Sequence, residues 1–148
     1  MFRRRRIKAA LTASLPYDGP SAFAGLSSRA LRALARNVQE LAFRPGEVVF
    51  REGDQDAALF MLVAGDVRIE VEVHGGPLEM GKFSGTALLG LASLYGAPRE
   101  HNIRAISDTR VLKLDRAGSE TAATRFPEIR AGFENALEEC QRVRPIRR

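Results

Sequence analysis

The sequence predicts a mainly β domain with flanking helices, in which short strands close on themselves as a barrel or jelly roll. Three observations predict it. From Phe43 to Leu114 the apolar residues follow a period of two, most clearly between Val67 and Val73. Turn-forming stretches such as RPGE, EGDQD, HGGP and YGAP interrupt this region at short intervals. On either side of it the apolar spacing becomes three and four, which is typical of helices.

One helix is expected before the strands and two after them. Ser27 can cap a helix that extends to about Leu41, with apolar residues at helical spacing. The segment from Asp115 to Arg125 predicts a short helix, and Pro127 suits the first turn of the next. The apolar stripe of that last helix comprises Ile129, Phe133, Ala136, Leu137 and Cys140.

Length and composition indicate one domain. The chain has 148 residues, of which 45% are hydrophobic, enough for a single core. No apolar run approaches the length of a membrane span, which predicts a cytoplasmic protein without one. A single cysteine and two histidines offer no metal-ligand spacing. We therefore expect a domain at residues 25–141 between basic tails at 1–24 and 142–148, with no metal.

The arginine-rich ends raise the question of a nucleic-acid partner. The net charge is +5, and four consecutive arginines lie at Arg3 to Arg6. No aromatic residues stand between these arginines to stack on bases, and no helix-turn-helix pattern follows. The sequence therefore argues against nucleic acid and favours solvated tails.

The stretch FRPGEVVFREGDQDAALFMLVAGDVRIEVEV, together with YGAPR further on, resembles the cyclic-nucleotide-binding domain family. This family includes catabolite-activator-type regulators, the regulatory subunits of protein kinase A and cyclic-nucleotide-gated channels. The resemblance runs from about Phe43 to Leu137. It implies a double-stranded β-helix, the jelly-roll-like β-roll of this family, and a regulatory signalling function with cAMP or cGMP as the candidate ligand.

The resemblance also implies positions for a ligand. Arg99 matches the arginine that holds the cyclic phosphate, with Glu100 and His101 on the rim of that site. Leu89, Gly90 and Leu91 fall where the sugar would lie. On the base side, strand alternation alone suggests Val63 and Val71.

The sequence departs from the family at the positions that bind the ribose. Counted back from Arg99 without gaps, the family's Gly-Glu pair falls on Leu89 and Gly90, and a one-residue deletion gives Gly90 and Leu91. No carboxylate stands in either register to accept the ribose 2′-hydroxyl, and Glu100 would repel a phosphate. We expect altered or weakened cyclic nucleotide binding. Arg99 is then held by a new partner such as Glu100 or a backbone carbonyl.

Three functions stay open at this point. The domain binds a cyclic nucleotide, binds another anion that needs no ribose contact, or binds no small molecule and serves as a protein-interaction or dimerisation module. The stripe of the last helix would pack on the barrel or on a second copy as a homodimer. An output through a separate effector protein is expected. No paired acids or activated nucleophile indicates an enzyme.

Overall fold

The computed structural model describes residues 26–85 and 87–143. The N-terminal tail expected at 1–24 lies outside the described residues, as do residues 144–148 of the C-terminal one. The elements in chain order are α1 (Ser28–Ala35), β1 (Gln39–Phe43), β2 (Val48–Phe50), β3 (Ala58–Ala64), β4 (Asp66–Val73), β5 (Gly76–Ser84), β6 (Ala87–Leu89), α2 (Leu91–Leu94), β7 (Asn102–Ala105), β8 (Thr109–Asp115), α3 (Arg116–Arg125) and α4 (Glu128–Val143).

The strands form two antiparallel sheets of four, which confirms the predicted β-roll. The order is β1-β8-β3-β6 in the first sheet and β2-β7-β4-β5 in the second. Strands far apart in the chain pair with one another, as β1 does with β8 along five consecutive registers. Their inner faces pack on each other and form a core of residues such as Phe60, Val67 and Ile103.

A second core lies between the first sheet and the helices. Leu34 of α1, Ala122 of α3 and Phe133 of α4 pack there against the outer face of β3 and β8. Ile129 and Phe133 are fully buried, and Leu137 packs against the same cluster. Of the two packings that the sequence left open for the α4 stripe, these side chains therefore adopt the one on the chain's own core.

The helix boundaries agree with the sequence at one end of α1 and differ at the other. The Ser27 hydroxyl caps the helix by accepting from the Ala30 N–H at 3.1 Å. The helix ends at Ala35, however, and the expected continuation to Leu41 is wrong, because Gln39–Phe43 forms a strand along β8. Pairing with a neighbouring strand overrides helical spacing here.

The C-terminal elements follow the prediction closely. Asp115 caps α3 by accepting from the Gly118 N–H at 2.7 Å, and α4 starts directly after Pro127. The backbone of α4 runs to Val143, two residues beyond the domain boundary expected at 141. None of the helices in the described part of the chain has the length and apolar content needed to cross a bilayer.

Candidate functional site

The loop between α2 and β7 carries Arg99 and fixes its backbone. The Arg99 N–H donates to the carbonyl of Asp54 at 2.8 Å, and its carbonyl accepts from the N–H of Gly53 at 2.7 Å. Gly96, with a φ of +99°, makes the tight turn that leads into the loop. Two hydrogen bonds to the β2–β3 loop therefore fix the backbone of Arg99.

The side chain of Arg99 turns inward and leaves only 1% of its surface exposed. Its Nε lies 2.9 Å and its Nη2 2.8 Å from Oδ1 of Asp56. Nη2 also donates to the carbonyl of Ala58, and Nη1 to the carbonyl of Gly90 at 3.4 Å. All three guanidinium nitrogens thus contact acceptors of the same chain.

Two aromatic rings complete the surroundings of the guanidinium. Its Cζ lies 4.1 Å from the ring centre of Phe50 and 5.1 Å from that of Phe60. The rings attract the cation through their π faces, and the contact strengthens where water is excluded. We call the set Phe50, Asp56, Ala58, Phe60 and Gly90 the arginine pocket.

Burial and charge act in opposite directions on the guanidinium. Burial lowers the pKa of Arg99 from its usual value, while the adjacent Asp56 carboxylate favours the charged form. The side chain of Asp56 is itself 30% exposed, so the pair lies at the border of the interior and not deep inside it. Breaking a pair of this kind leaves one charge poorly solvated, which is costly.

The segment that supplies the acceptors contains an unusual backbone conformation. Ala57 has a φ of +43° and is the only non-glycine residue in the left-handed region among those described. It stands between Asp56, which gives its carboxylate to Arg99, and Ala58, which gives its carbonyl. The strained turn at Ala57 therefore brings two acceptors onto one guanidinium.

Gly90 makes the inward position of Arg99 sterically possible. It lies at the start of α2 with a φ of +78°, and a Cβ atom added to it would be 1.9 Å from Nη1 of Arg99. With both residues in their observed positions, a side chain at position 90 would overlap the guanidinium. Gly90, one of the three residues expected at the sugar, thus provides the space that the arginine occupies.

The other residues predicted near the phosphate and sugar have different surroundings. Glu100 is exposed and His101 half-buried, and they follow Arg99 directly in the loop. Leu89 is buried in the core between the sheets, whereas Leu91 is buried in the core beneath the helices. Of the three residues expected at the sugar, the structure brings Gly90 to Arg99.

The two residues predicted for the base side do not face a common space. Val71 is half-buried on the second sheet, where it pairs with Leu78 of β5. Val63 packs against the core beneath the helices, while Phe60 and Leu62 of the same strand face the core between the sheets. The expectation that Val63 lines the barrel interior is therefore wrong, because the alternation of β3 has the opposite phase.

A polar network anchors the strand that follows the site. The Asn102 carboxamide accepts from the Glu52 N–H at 2.7 Å and donates to Glu72 at 2.9 Å. Glu70, only 3% exposed, lies between Arg68 and Arg104, at 3.4 and 3.3 Å. These contacts tie β7 to β4 and to the β2–β3 loop, and so fix the frame around Arg99.

Sequence reasoning missed the main partner of the arginine. It anticipated backbone carbonyls, which Ala58 and Gly90 provide, but it did not single out Asp56 or the two phenylalanines. The available signal was the acid of EGDQDAALF, directly before the β3 strand. In residues 26–85 and 87–143 no group of three His, Cys, Asp or Glu side chains is placed to hold a metal ion.

Known proteins share both the sequence pattern and the fold. A candidate potassium channel protein of Rhodopseudomonas palustris, RPA4233, is 30% identical over 118 residues, which are 78% of this chain and 28% of that protein. The CRP-like cAMP-activated global transcriptional regulator of Mycobacterium tuberculosis is 27% identical over 109 residues, 72% of this chain and 49% of the regulator.

A solved structure has the same architecture. The catabolite activator protein of Thermus thermophilus superposes with a TM-score of 0.71 at 24% identity, covering 82% of this chain and 58% of that one. The chain spans about a quarter to a half of the length of the two sequence relatives. The family model described as "Cyclic nucleotide-binding domain" matches residues 40–124. The chain therefore belongs to the cyclic nucleotide-binding domain family.

Proposed function

We propose that this chain is a non-catalytic regulatory domain in which binding of cAMP or cGMP is weakened because its phosphate arginine is engaged inside the protein. The observation that supports the proposal is the closed environment of Arg99, which contacts the Asp56 carboxylate and two backbone carbonyls. A cyclic phosphate must compete with these acceptors before it can use the arginine. In addition, the residues expected at the sugar, Leu89, Gly90 and Leu91, offer the ribose no carboxylate.

The energetic consequence follows from the ion pair. To bind a phosphate, Arg99 must leave Asp56, and this cost is subtracted from the affinity for the ligand. Loss of the ribose acceptor leaves a buried hydroxyl without its partner, which costs about 1 to 3 kcal/mol. Since every 1.4 kcal/mol is about tenfold in affinity, the two effects together reduce binding by roughly two decades or more.

The second candidate is a ligand-free module on the same fold that acts on a separate effector protein. It is favoured by the completeness of the internal contacts, since every guanidinium nitrogen of Arg99 has an acceptor in the chain. A homodimer through the C-terminal helix belongs to this candidate. Because Ile129 and Phe133 are buried in the chain's own core, such a dimer would have to use another face of the helix.

Calorimetric titration with cAMP and cGMP tests the proposal on four proteins. We expect weak binding to the wild type and at least about tenfold tighter binding to Asp56→Asn, which removes the competing charge and keeps the shape. Arg99→Ala should not bind. Arg110→Ala is the matched control, because it removes an exposed arginine paired with Glu40 and should bind as the wild type does.

The outcomes separate the candidates. Tight binding to the wild type, with no gain in Asp56→Asn, would contradict the proposal that Asp56 competes with the ligand. Absence of binding in all four proteins at millimolar ligand would favour the ligand-free module.

A further inference from the structure

Within residues 26–85 and 87–143, no strand pairs with the outer edge of one long strand. The order of the second sheet puts β5 at its end, and β5 spans nine residues, against three in β2 and β6 and five in β1. The large hydrophobic side chains that are strongly exposed in the described part of the chain all lie on the β4–β5 hairpin: Val73, Leu78 and Met80. A long edge with apolar side chains is a template for pairing with another strand.

The backbone bonds of β4 show which residues of β5 turn toward this edge. The Glu72 N–H donates to the Glu52 carboxylate at 2.9 Å. The N–H and the carbonyl of Asp66 likewise form their hydrogen bonds with residues outside β5. Their partners in β5 are Pro77 and Ser84. Since these pairs do not exchange hydrogen bonds, Ser84 directs its N–H and carbonyl to the outer edge, and Pro77, which has no N–H, directs its carbonyl alone.

A β-bulge then places two opposite charges in the same phase. Residues two positions apart in a strand direct their backbone groups to the same side. Glu79, two residues after Pro77, and Lys82, two residues before Ser84, therefore also direct their backbone groups to the outer edge. In a regular strand, residues three positions apart would point in opposite directions. The register shift between Ile69 and Glu70 inserts Met80 as an extra residue, and this shift brings Glu79 and Lys82 into phase.

The sequence of the edge is complementary to itself. If two β5 strands pair antiparallel about a two-fold axis between Met80 and Gly81, Glu79 stands opposite Lys82 twice. Within its own sheet Lys82 stands opposite Arg68, a like charge, and it has no ion pair among the described residues. Glu79 lies 3.1 Å from Nε of Arg68 and keeps 45% of its side chain exposed.

The apolar residues fit the same register. Leu78, which is 50% exposed, stands opposite Phe83 of the second copy, on the face that each strand shares with the barrel interior. Met80 lies beside the axis. Cross-strand pairs of opposite charge and of apolar side chains both stabilise antiparallel sheets.

We propose that the β5 edge is a homodimer surface, on which two copies join their second sheets into one continuous sheet with Glu79 of each facing Lys82 of the other. The occupant is a second copy because the edge is complementary to itself in charge, in apolar contacts and in the direction of its backbone groups. An interface limited to one strand pair is small, so we expect a weak dimer. This inference does not depend on the state of Arg99.

Sedimentation analysis of the full chain across a concentration series, with two charge-reversal variants, tests the register. In Glu79→Lys alone or Lys82→Glu alone, the contacts across the axis become like-charged, and each variant should dimerise at least about tenfold more weakly than the wild type. An equimolar mixture of the two variants restores opposite charges at both contacts, so it should form a heterodimer within about threefold of wild-type affinity. A change that only damages the fold would not be rescued by mixing.

Glu138→Lys, an exposed reversal on α4, is the matched control and should dimerise as the wild type does. Three results would overturn the proposal. They are a wild type that remains monomeric up to about 1 mM, a mixture no stronger than the single variants, and a dimer that is lost in Glu138→Lys but kept in the edge variants. The last result would indicate the C-terminal helix instead.

Discussion

Gly90→Ala measures directly how firmly the arginine pocket holds its guanidinium. The added Cβ would lie 1.9 Å from Nη1 of Arg99, so the guanidinium must move by about 1 Å to reach the 3.0 Å that real contacts keep. The end of an arginine usually moves at little cost. Here the side chain is 1% exposed and held by Asp56 and the Ala58 carbonyl, so the movement disrupts charged hydrogen bonds.

The magnitude has two parts. An alanine at a φ of +78° costs about 1 kcal/mol for the left-handed backbone. Weakening the hydrogen bonds of a charged group adds about 1 to 3 kcal/mol, with the lower half of that range expected because Asp56 is 30% exposed. Gly96→Ala is the matched control. Its φ is +99° and nothing lies within 4 Å of the added Cβ, so it carries the backbone cost alone.

The assay is equilibrium unfolding in urea, with the free energy of unfolding compared at constant slope. Gly90→Ala should lose more stability than Gly96→Ala by about 1 to 2 kcal/mol. In an Arg99→Ala background the clash is gone, so Gly90→Ala should cost only what Gly96→Ala costs. Equal losses for the two glycine variants in the wild-type background would refute the inward position of Arg99.

Three further predictions concern stability. Phe133→Ala removes a fully buried ring and should cost about 3 to 5 kcal/mol by urea unfolding, whereas the exposed neighbour Glu134→Ala should change stability by less than about 0.5 kcal/mol. Ala57→Gly relieves a φ of +43° and should raise the free energy of unfolding by about 0.5 to 1 kcal/mol; a loss would show that the turn is unstrained. Two serine hydroxyls lower the pKa of Asp66 below 3.8, so its stabilisation is present above that pH and is lost as the pH falls through the folded-state pKa. The free energy of unfolding should therefore fall less on acidification in Asp66→Asn than in the wild type. Identical pH profiles of the two proteins would contradict the assignment.

The sequence predicted the strands well where one face is polar and poorly where both faces are apolar. In β4, Arg68 and Glu70 alternate with Val67 and Ile69, and the alternation fixes which face is inside. In β3 the run from Leu59 to Val63 is continuously apolar, because the strand is covered by the barrel interior on one side and by the helices on the other. No polar residue marks which face of β3 points to the barrel interior, and Val63 was therefore assigned to the wrong face.

The site was predictable to the level of residue type and not of contact. The motif around Arg99 identified the loop, and the absence of an acid at positions 89 to 91 led to the prediction of weakened binding. The pairing of Arg99 with Asp56 joins residues 43 positions apart, and it depends on the turn at Ala57. No local pattern encodes that contact, because it arises from how the β2–β3 loop meets the loop that carries Arg99.

Gly90 and the buried arginine are linked by one steric fact. Any side chain at position 90 begins with a Cβ, and in the observed backbone that atom would lie 1.9 Å from Nη1 of Arg99. A side chain at position 90 and the observed position of the guanidinium therefore conflict, and one of the two must shift. Gly90 offers no side-chain acceptor and leaves the space in which the guanidinium reaches Asp56. In the ungapped register, in which the family's glutamate falls on position 90, the weakened sugar and phosphate binding that we propose would share this one origin.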